Sequence, residues 1–388
     1  MSTKHNRKHW SVLLFTRLLA LVLSIATFSV YLTAPNSAAE PLTRTASATV
    51  IASGLHNPRG LNFAPDGSLY VVEAGADSPS PGPCGLHANG APACYAQSGS
   101  ITRIDITTGS AERIIDSLPS LIAPSGDATT AFGVHDISFQ GLGNAYVTVG
   151  LEANPATRVE NFGAAGRDFA RLARFNPSGK FSFEEDLGEY EVVANPDGHA
   201  VPDSNPYGLL ALPGKVIYTD ASGNCLNQVK ANGEISTLAV FPDRMITRPN
   251  GSTVSVQAVP TTVALGPDGD LYVGQLTGFP FTVGIANVYR VPIQGGTPVV
   301  AYSGFTNIID IAFAGDGTLY VLEIARSGLA AVNIGRLVQI APDGTRTEIL
   351  TPGELRAPGG IAIGSDGALY VTNRSVSSTI GHVLRIEL

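Results

Sequence analysis

Carboxylates recur at equivalent places in a motif that the sequence repeats six times. Asp136 and Asp310 each open the first strand of a repeat, and Glu73 and Glu323 each end the second strand. If six repeats surround one axis, Asp136 and Asp310 face each other across it, because they lie three repeats apart. Carboxylate oxygens are the ligands that Ca²⁺ prefers. The four residues are therefore predicted to hold a divalent cation such as Ca²⁺. The alternative is that the aspartates cap neighbouring backbone amides and that the glutamates at the strand ends are solvated.

Five more side chains close to these strand ends are predicted to contact a small-molecule ligand. They are Arg59, His135, Tyr207, Gln275 and Phe279. A histidine next to a bound ion could also take part in activating water. The alternatives are that His135 is a hydrogen-bonded residue of the channel and that Phe279 packs onto the strands below its loop.

The elements that would position these residues are β-hairpins. The repeat is clearest at residues 57–73, where an alternating strand runs into Pro65-Asp66-Gly67 and a second strand leaves it. Proline presets φ and glycine accepts a positive φ, which together favour a tight turn. The turn glycines are Gly67, Gly143, Gly214, Gly269, Gly317 and Gly367. Self-similarity at a period of about 50 residues is typical of propellers and solenoids.

Six hairpins predict an all-β fold, a six-bladed β-propeller. Residues 49–55 form a strand with no hairpin partner ahead of them, and the chain ends on a strand at residues 382–386. The N-terminal strand is therefore predicted to complete the last blade, which removes an exposed sheet edge. The hairpin turns share one face, so the long connections after Glu73 and Gly150 lie on the other, which is the predicted binding face.

The first 39 residues have the pattern of an export signal. Basic residues precede an apolar run at residues 11–34, in which Arg17 is the only charge, and Ser37-Ala38-Ala39 suits a signal peptidase. This predicts a signal peptide over residues 1–39, a propeller domain over residues 40–388, and a secreted or periplasmic protein. The apolar run is also long enough to serve as an uncleaved membrane anchor.

The charge balance narrows the choice of partners. Loss of the four basic residues of the signal would change the net charge from −8 to −12. An acidic protein of this kind is a poor match for nucleic acid or an anionic membrane surface. We therefore expect a small-molecule ligand or a protein partner, no nucleic acid, and no membrane contact beyond the signal segment.

Three cysteines indicate one disulfide. Cys84 and Cys94 lie ten residues apart in a loop rich in proline and glycine, and in an exported chain they are predicted to pair. Cys225 is then left over, and we expect it to be a small buried residue.

Several segments resemble the ScyD/ScyE family of exported β-propellers. They are Asn57-Pro58-Arg59-Gly60-Leu61, Gly82-Pro83-Cys84, Cys94-Tyr95, and residues 272–281 and 305–313. The resemblance covers residues 48–388. It implies a six-bladed propeller outside the cytoplasm and, for members from some cyanobacteria, a link to the assembly of an indole-derived sunscreen pigment such as scytonemin. No catalytic motif of the family can be transferred to this chain.

Two functions remain open at this point. One is a propeller that binds a small molecule or a partner on its loop-rich face. The other is a metal-dependent enzyme of the gluconolactonase-like or lyase-like kind, or a helper in pigment assembly. Because propellers host many unrelated activities, the fold alone does not decide whether the protein is an enzyme.

Overall fold

A computed structural model describes residues 42–43, 46–76, 81–87, 90–122, 131–141, 143–176, 179–248, 250–329 and 334–388. The chain divides into two units, Met1–Ala39 and Glu40–Leu388. The predicted signal peptide falls outside the described residues, so it stays a prediction. Within the described ranges, no helix has both the length and the apolar character that crossing a bilayer requires.

The predicted six-bladed β-propeller is confirmed. Each blade is an antiparallel sheet, in which we name the strands A to D from the central channel outward. The A strands are Pro58–Phe63, Val134–Gln140, Pro206–Leu212, Pro260–Leu265, Ile308–Phe313 and Gly360–Ile363. The B strands are Leu69–Glu73, Asn144–Val149, Lys215–Asp220, Leu271–Gln275, Leu319–Glu323 and Leu369–Asn373.

The outer strands close the ring as the sequence predicts. The C strands are Pro92–Ile104, Arg171–Phe175, Cys225–Lys230, Ala286–Val291, Arg336–Ile340 and Gly381–Glu387. The D strands are Ala111–Ile122, Phe181–Asp186, Ile235–Val240, Val299–Phe305, Arg346–Glu348 and, for blade 6, Ser47–Leu55. The last of these pairs with Gly381–Glu387, so an N-terminal strand completes blade 6, while Leu42–Thr43 ahead of it pairs in parallel with Arg346–Glu348 of blade 5.

The first hairpin shows why the repeated turn forms. Gly67 has φ of 86°, and its N–H donates to the carbonyl of Ala64. The Asp66 carboxylate accepts the N–H of Ser68 at 2.9 Å. An aspartate that accepts a hydrogen bond two residues ahead and a glycine at positive φ are the features that a tight hairpin needs.

Apolar residues of the strands form the core between neighbouring blades. Tyr70 of blade 1 lies edge-on to Phe139 of blade 2 with ring centroids 5.1 Å apart, and Val72, Ile137 and Val147 belong to the same buried cluster. At the axis the blades approach so closely that a Cβ on Gly60 would lie 2.1 Å from Oδ1 of Asp136. The A strands are thus held in a tight ring.

The connections carry the remaining elements. The additional strands are Leu42–Thr43, Cys84–Leu86, Ala131–Phe132, Arg244–Thr247 and Thr253–Val256. The helices are Pro155–Thr157, Arg158–Phe162, Ala164–Asp168 and Leu187–Ala194. The predicted disulfide between Cys84 and Cys94 is present, and Cys225 is buried and free.

The sequence patterns described above do not predict helix Leu187–Ala194. Its start is fixed by the Asp186 side chain, which accepts the N–H of Glu189, and its end by Asn195 in the left-handed conformation. A helix of eight residues shows too few turns for an apolar period to stand out. It matters below because it carries Glu191.

Candidate functional site

The face opposite the hairpin turns carries the starts of the A strands, the ends of the B strands and the long connections. All nine residues predicted to bind a metal or a ligand belong to the part of the chain that the structure describes. Each of them can therefore be placed.

Glu73, a predicted metal ligand, is fully buried and bound to its own blade. Its Oε1 accepts from the Ser100 hydroxyl and from Nε of Arg113, both at 3.0 Å. Its Oε2 accepts from Nη2 of Arg113 at 2.9 Å and from the backbone N–H of His56. The carboxylate is fully engaged in joining strands of blade 1 to the segment ahead of strand A.

Glu323 repeats this arrangement in blade 5. Its Oε1 accepts the backbone N–H of Thr306 at 2.8 Å and Nη2 of Arg336 at 2.6 Å, and its Oε2 accepts Nε of Arg336 at 2.7 Å. Burial raises the pKa of Glu323, and the bond from Arg336 opposes that rise. A bidentate pair between a guanidinium and a carboxylate is among the strongest side-chain contacts.

A hydrogen bond between the end of strand B and the segment ahead of strand A recurs in five blades. The last residue of strand B hydrogen-bonds the segment ahead of strand A through the pairs Glu73–His56, Asp220–Asn205, Gln275–Ala258, Glu323–Thr306 and Asn373–Arg356. In blade 2 the equivalent residue is Val149. The predicted roles of Glu73 and Glu323 in metal binding are corrected accordingly, because these side chains hold their blades together. The predicted role of Gln275 in ligand binding stays a prediction.

Asp136 and Asp310 line the channel and act as caps, the alternative that the sequence left open. Asp136 accepts the backbone N–H of Leu209 in blade 3, and Asp310 accepts that of Ile361 in blade 6, each at 2.8 Å. Burial raises the pKa of both carboxyls, and the charge of Asp310 raises that of Asp136 further. Each aspartate fastens its A strand to the next one around the ring.

The four predicted metal ligands therefore do not come together. Two of them interact across the channel as caps, and the other two form ion pairs in separate blades. Among the described residues, no group of three or more His, Cys, Asp or Glu side chains has the geometry to hold one metal ion. The predicted Ca²⁺ site is not formed by Glu73, Asp136, Asp310 and Glu323.

The ring of Phe279, another predicted ligand residue, is 66% exposed in a loop of blade 4. Its centroid is 6.1 Å from that of Phe281, with the rings edge to face. Phe279 therefore contacts an aromatic ring of its own loop, and this favours the alternative of packing within the loop over a role in ligand binding.

Arg59, His135 and Tyr207, by contrast, meet at the start of three A strands. The rings of His135 and Tyr207 are stacked with centroids 4.2 Å apart. Arg59 is buried, and its Nη2 donates to the carbonyl of Ala131 at 2.7 Å. Its charge reaches both rings: it adds to the effect of burial that lowers the pKa of His135, and it opposes the effect of burial that raises the pKa of Tyr207. Three of the five predicted ligand residues are therefore neighbours.

His135 is 1% exposed, and neither ring nitrogen finds a well-aligned hydrogen-bond partner in the described part of the chain. Asn205 lies beside the ring, and both crowd the place where a Cβ on Gly150 would be. Burial, and then the charge of Arg59, hold the pKa of His135 well below its usual value. The ring is therefore neutral at pH 7 and offers one donor and one acceptor.

Two carboxyls that the predicted site did not include complete the group. Glu152 and Asp203 are partly exposed, and their segments are joined by a bond from the Glu152 N–H to the carbonyl of Ser204. Burial and then the charge of Asp203 raise the pKa of Glu152 to about 7, against the effect of Arg59. Burial and then Asp220 raise that of Asp203 to about 7.

We call Arg59, His135, Glu152, Asp203 and Tyr207 the channel-mouth cluster. It combines a guanidinium, a neutral imidazole, two carboxyls that titrate near neutral pH and a pair of stacked rings. Carboxyls with such pKa values can give or take a proton at pH 7. The one signal in the sequence for Asp203 is its place in a polar run just before the strand that begins at Pro206.

The chain matches no family model and no curated protein. Among solved structures, it resembles a gluconolactonase from Xanthomonas campestris with a TM-score of 0.51 and 10% identity, over 88% of this chain and 90% of that one. It resembles a PQQ-bound aldose sugar dehydrogenase from Streptomyces coelicolor with a TM-score of 0.51 and 14% identity, over 89% and 100%. A streptogramin B lyase gives 0.48 and 16%, over 88% and 98%.

The gluconolactonase and the sugar dehydrogenase are β-propellers, and sequence identities this low support a conclusion about the fold alone. They agree with the six blades described above. The residues of the channel-mouth cluster must therefore carry the functional argument.

Proposed function

We propose that this protein is an exported β-propeller that binds a small molecule at the channel-mouth cluster. One observation carries the proposal. Both ring nitrogens of His135 and Nε of Arg59 are buried, and among the described residues none gives them a well-aligned hydrogen bond, although the side chain of Asn205 lies beside the imidazole. Tyr207, stacked on His135, is partly exposed and so connects this buried group to solvent.

Unsatisfied buried polar atoms are uncommon in folded proteins because each costs about 1–3 kcal/mol. A ligand that supplies the missing partners recovers this free energy when it binds. Arg59 and the His135 donor suit oxygen acceptors such as a carboxylate or carbonyl, and the stacked rings suit a flat apolar group. The ligand class that best matches is a planar molecule bearing oxygen acceptors.

Membership of the ScyD/ScyE family is part of the same proposal and is supported by the sequence segments described above. An internal disulfide is consistent with export, because disulfides persist in oxidising compartments. A role in assembling an aromatic pigment would use the stacked rings of the cluster in the same way.

Glu152 favours a second candidate function, an enzyme of the hydrolase or lyase kind. Its pKa of about 7 and its position near Arg59 are what a general acid or base requires. In that case the ligand is a substrate, and Glu152 moves a proton while Arg59 and His135 orient an oxygen of the substrate.

The test uses the mature chain, residues 40–388, purified in exported form. Benzoate, indole-3-carboxylate and glucono-1,5-lactone serve as probes in saturation-transfer NMR and in turnover assays. We expect binding of at least one planar acid, and its loss in His135→Leu and Tyr207→Leu. Phe279→Ala is the matched control because it removes an aromatic ring from the exposed loop.

The binding results test the proposed site, and the turnover results distinguish an enzyme from a binding protein. Binding that persists in both cluster variants, or that is lost only in Phe279→Ala, would contradict the proposed site. Turnover that disappears in Glu152→Gln while binding remains would select the enzyme over the binding protein.

A further inference from the structure

A second group of carboxylates lies above blade 3. It consists of Glu191 on helix Leu187–Ala194, Asp197 and Asp203 in the connection that follows, and Asp220 at the end of strand B. We call these four residues the acidic pocket. Burial is the main factor that raises the pKa of Glu191 to about 9, and Asp220, Asp197 and Asp203 add to it in that order. All four carboxyls therefore lie within electrostatic reach of one another.

Glu191 is the unusual member, because it is 1% exposed and neither of its carboxylate oxygens has a hydrogen-bond donor among the described residues. Its Oε2 lies 2.7 Å from the point where a Cβ on Gly223 would stand, and Cγ of Asp220 lies 3.3 Å from the same point. The missing side chain of Gly223 thus leaves room for two carboxylates to converge.

The other members have partners that position them and leave acceptor capacity. Asp220 accepts the N–H of Asn205 at 2.7 Å and the hydroxyl of Ser204 at 2.6 Å. Asp197 accepts from the Asn224 amide at 2.9 Å. Oδ1 of Asp203 has no donor from the described residues. The pocket therefore offers at least three buried acceptor oxygens, on Glu191 and Asp203, without donors.

What the pocket lacks is positive charge. Of the described residues, only His199 forms an ion pair with any of the four carboxylates, at 3.2 Å from Asp197. Burying an uncompensated carboxylate is costly, and such groups are normally paired or bound to a cation. Without such a partner Glu191 retains a proton near neutral pH, and a ligand that brings donors or a positive charge could take the place of that proton.

We propose that the acidic pocket binds a positively charged group through Glu191, Asp203 and Asp220. Two sources have this chemistry, a hard inorganic cation such as Ca²⁺ and the ammonium group of an organic amine. The carboxylates do not stand at the spacing of a formed metal site. An ammonium group forms longer contacts than a metal ion, so it tolerates the wider spacing. Asp203 belongs to both the acidic pocket and the channel-mouth cluster. Glu191 lies outside that cluster, so its substitution distinguishes the two sites.

The test is titration calorimetry of residues 40–388 at pH 8 with two probes, CaCl₂ and n-butylammonium chloride. 1-Butanol is the neutral counterpart of the amine. The variants are Glu191→Gln, which keeps the shape of the side chain but cannot release a proton to become a carboxylate when a cation binds, and Asp203→Asn. Glu189→Gln is the matched control, since Glu189 is an exposed glutamate on the same helix.

We expect one probe to bind with a 1:1 stoichiometry and 1-butanol not to bind. Glu191→Gln and Asp203→Asn should each weaken binding about ten-fold or more, and Glu189→Gln less than about two-fold. Binding of CaCl₂ alone identifies an inorganic cation as the source, and binding of the amine alone identifies an ammonium ligand.

The proposal is overturned if neither probe binds the wild-type protein, or if binding is unchanged in both pocket variants. A near-native circular dichroism spectrum and urea midpoint verify that each variant folds. Should Glu191→Gln fail to fold, Asp203→Asn decides the matter, because Asp203 is partly exposed. Since Asp203 also belongs to the channel-mouth cluster, its effect counts for the acidic pocket only if His135→Leu leaves binding of the same probe unchanged.

Discussion

Replacing Glu323 by glutamine separates a structural carboxylate from a metal ligand. The buried carboxylate holds Nε and Nη2 of Arg336 and the N–H of Thr306. The amide of a glutamine would place an NH₂ donor against one of the Arg336 donors. Because the Arg336 side chain is only 18% exposed, its charge cannot reach water freely. Removing one partner of such a pair costs about 3–5 kcal/mol.

The loss should be smaller for Glu73→Gln, although Glu73 is equally buried. Its partner Arg113 is 38% exposed and can turn toward water when the carboxylate is gone. The double variant Glu323→Gln with Arg336→Met should recover part of the lost stability, since it leaves no buried unpaired charge. The ratio of the losses in the free energy of unfolding caused by Glu323→Gln and Glu73→Gln therefore reports how well each arginine is shielded from water.

The assay is urea unfolding of residues 40–388, with and without EDTA, followed by tyrosine fluorescence and circular dichroism, since the one tryptophan of the sequence, Trp10, precedes the propeller. A midpoint that shifts at constant slope gives the change in the free energy of unfolding. The reasoning fails if Glu323→Gln costs less than about 1 kcal/mol. It also fails if EDTA alone destabilises the wild type as much as the substitution does, because Glu323 would then act through a metal.

Three further outcomes follow from the same structure. The pKa of Glu191 rises from 4.5 to about 9 on folding, so the folded protein holds a proton that the unfolded chain releases, and stability should fall as the pH rises from about 5 to 9. A pH series of urea midpoints should show this slope flattened in Glu191→Gln. Reducing the disulfide between Cys84 and Cys94 should cost about 2–3 kcal/mol in the same assay, and equal midpoints with and without reductant would contradict that. Gly60→Ala should destabilise the protein by about 1–3 kcal/mol because its Cβ would meet Asp136. Gly315→Ala should be nearly neutral because no atom lies within 4 Å of its Cβ position. Similar losses of stability in both variants would argue against the close approach of the A strands.

Part of the site was predictable from the sequence because it lies at fixed positions of a repeat. Arg59, His135 and Tyr207 are each the second residue of an A strand, so finding the hairpins was enough to place them around one axis. Glu191 and Asp203 have no counterpart in that pattern. They lie in the connection between blades 2 and 3, whose path depends on its own caps and contacts.

The sequence by itself determined the number of blades, the closure of the ring and the disulfide. These depend on local information: a turn such as Pro65-Asp66-Gly67 favours a hairpin wherever it occurs, and alternating residues decide which side of a strand is buried. The two terminal strands can pair only with each other once six hairpins are counted. Cys84 and Cys94 need only be ten residues apart in one loop.

Only the tertiary structure decided what the carboxylates do. Glu73 and Glu323 each end a B strand, the position at which the sequence predicts metal ligands. In the structure each carboxylate instead forms an ion pair with an arginine of its own blade, Arg113 or Arg336. Whether a side chain meets such a partner depends on strand register and on distances between segments far apart in sequence. A buried charge takes the nearest compensating group that the fold supplies, and the order of residues does not reveal which group that is.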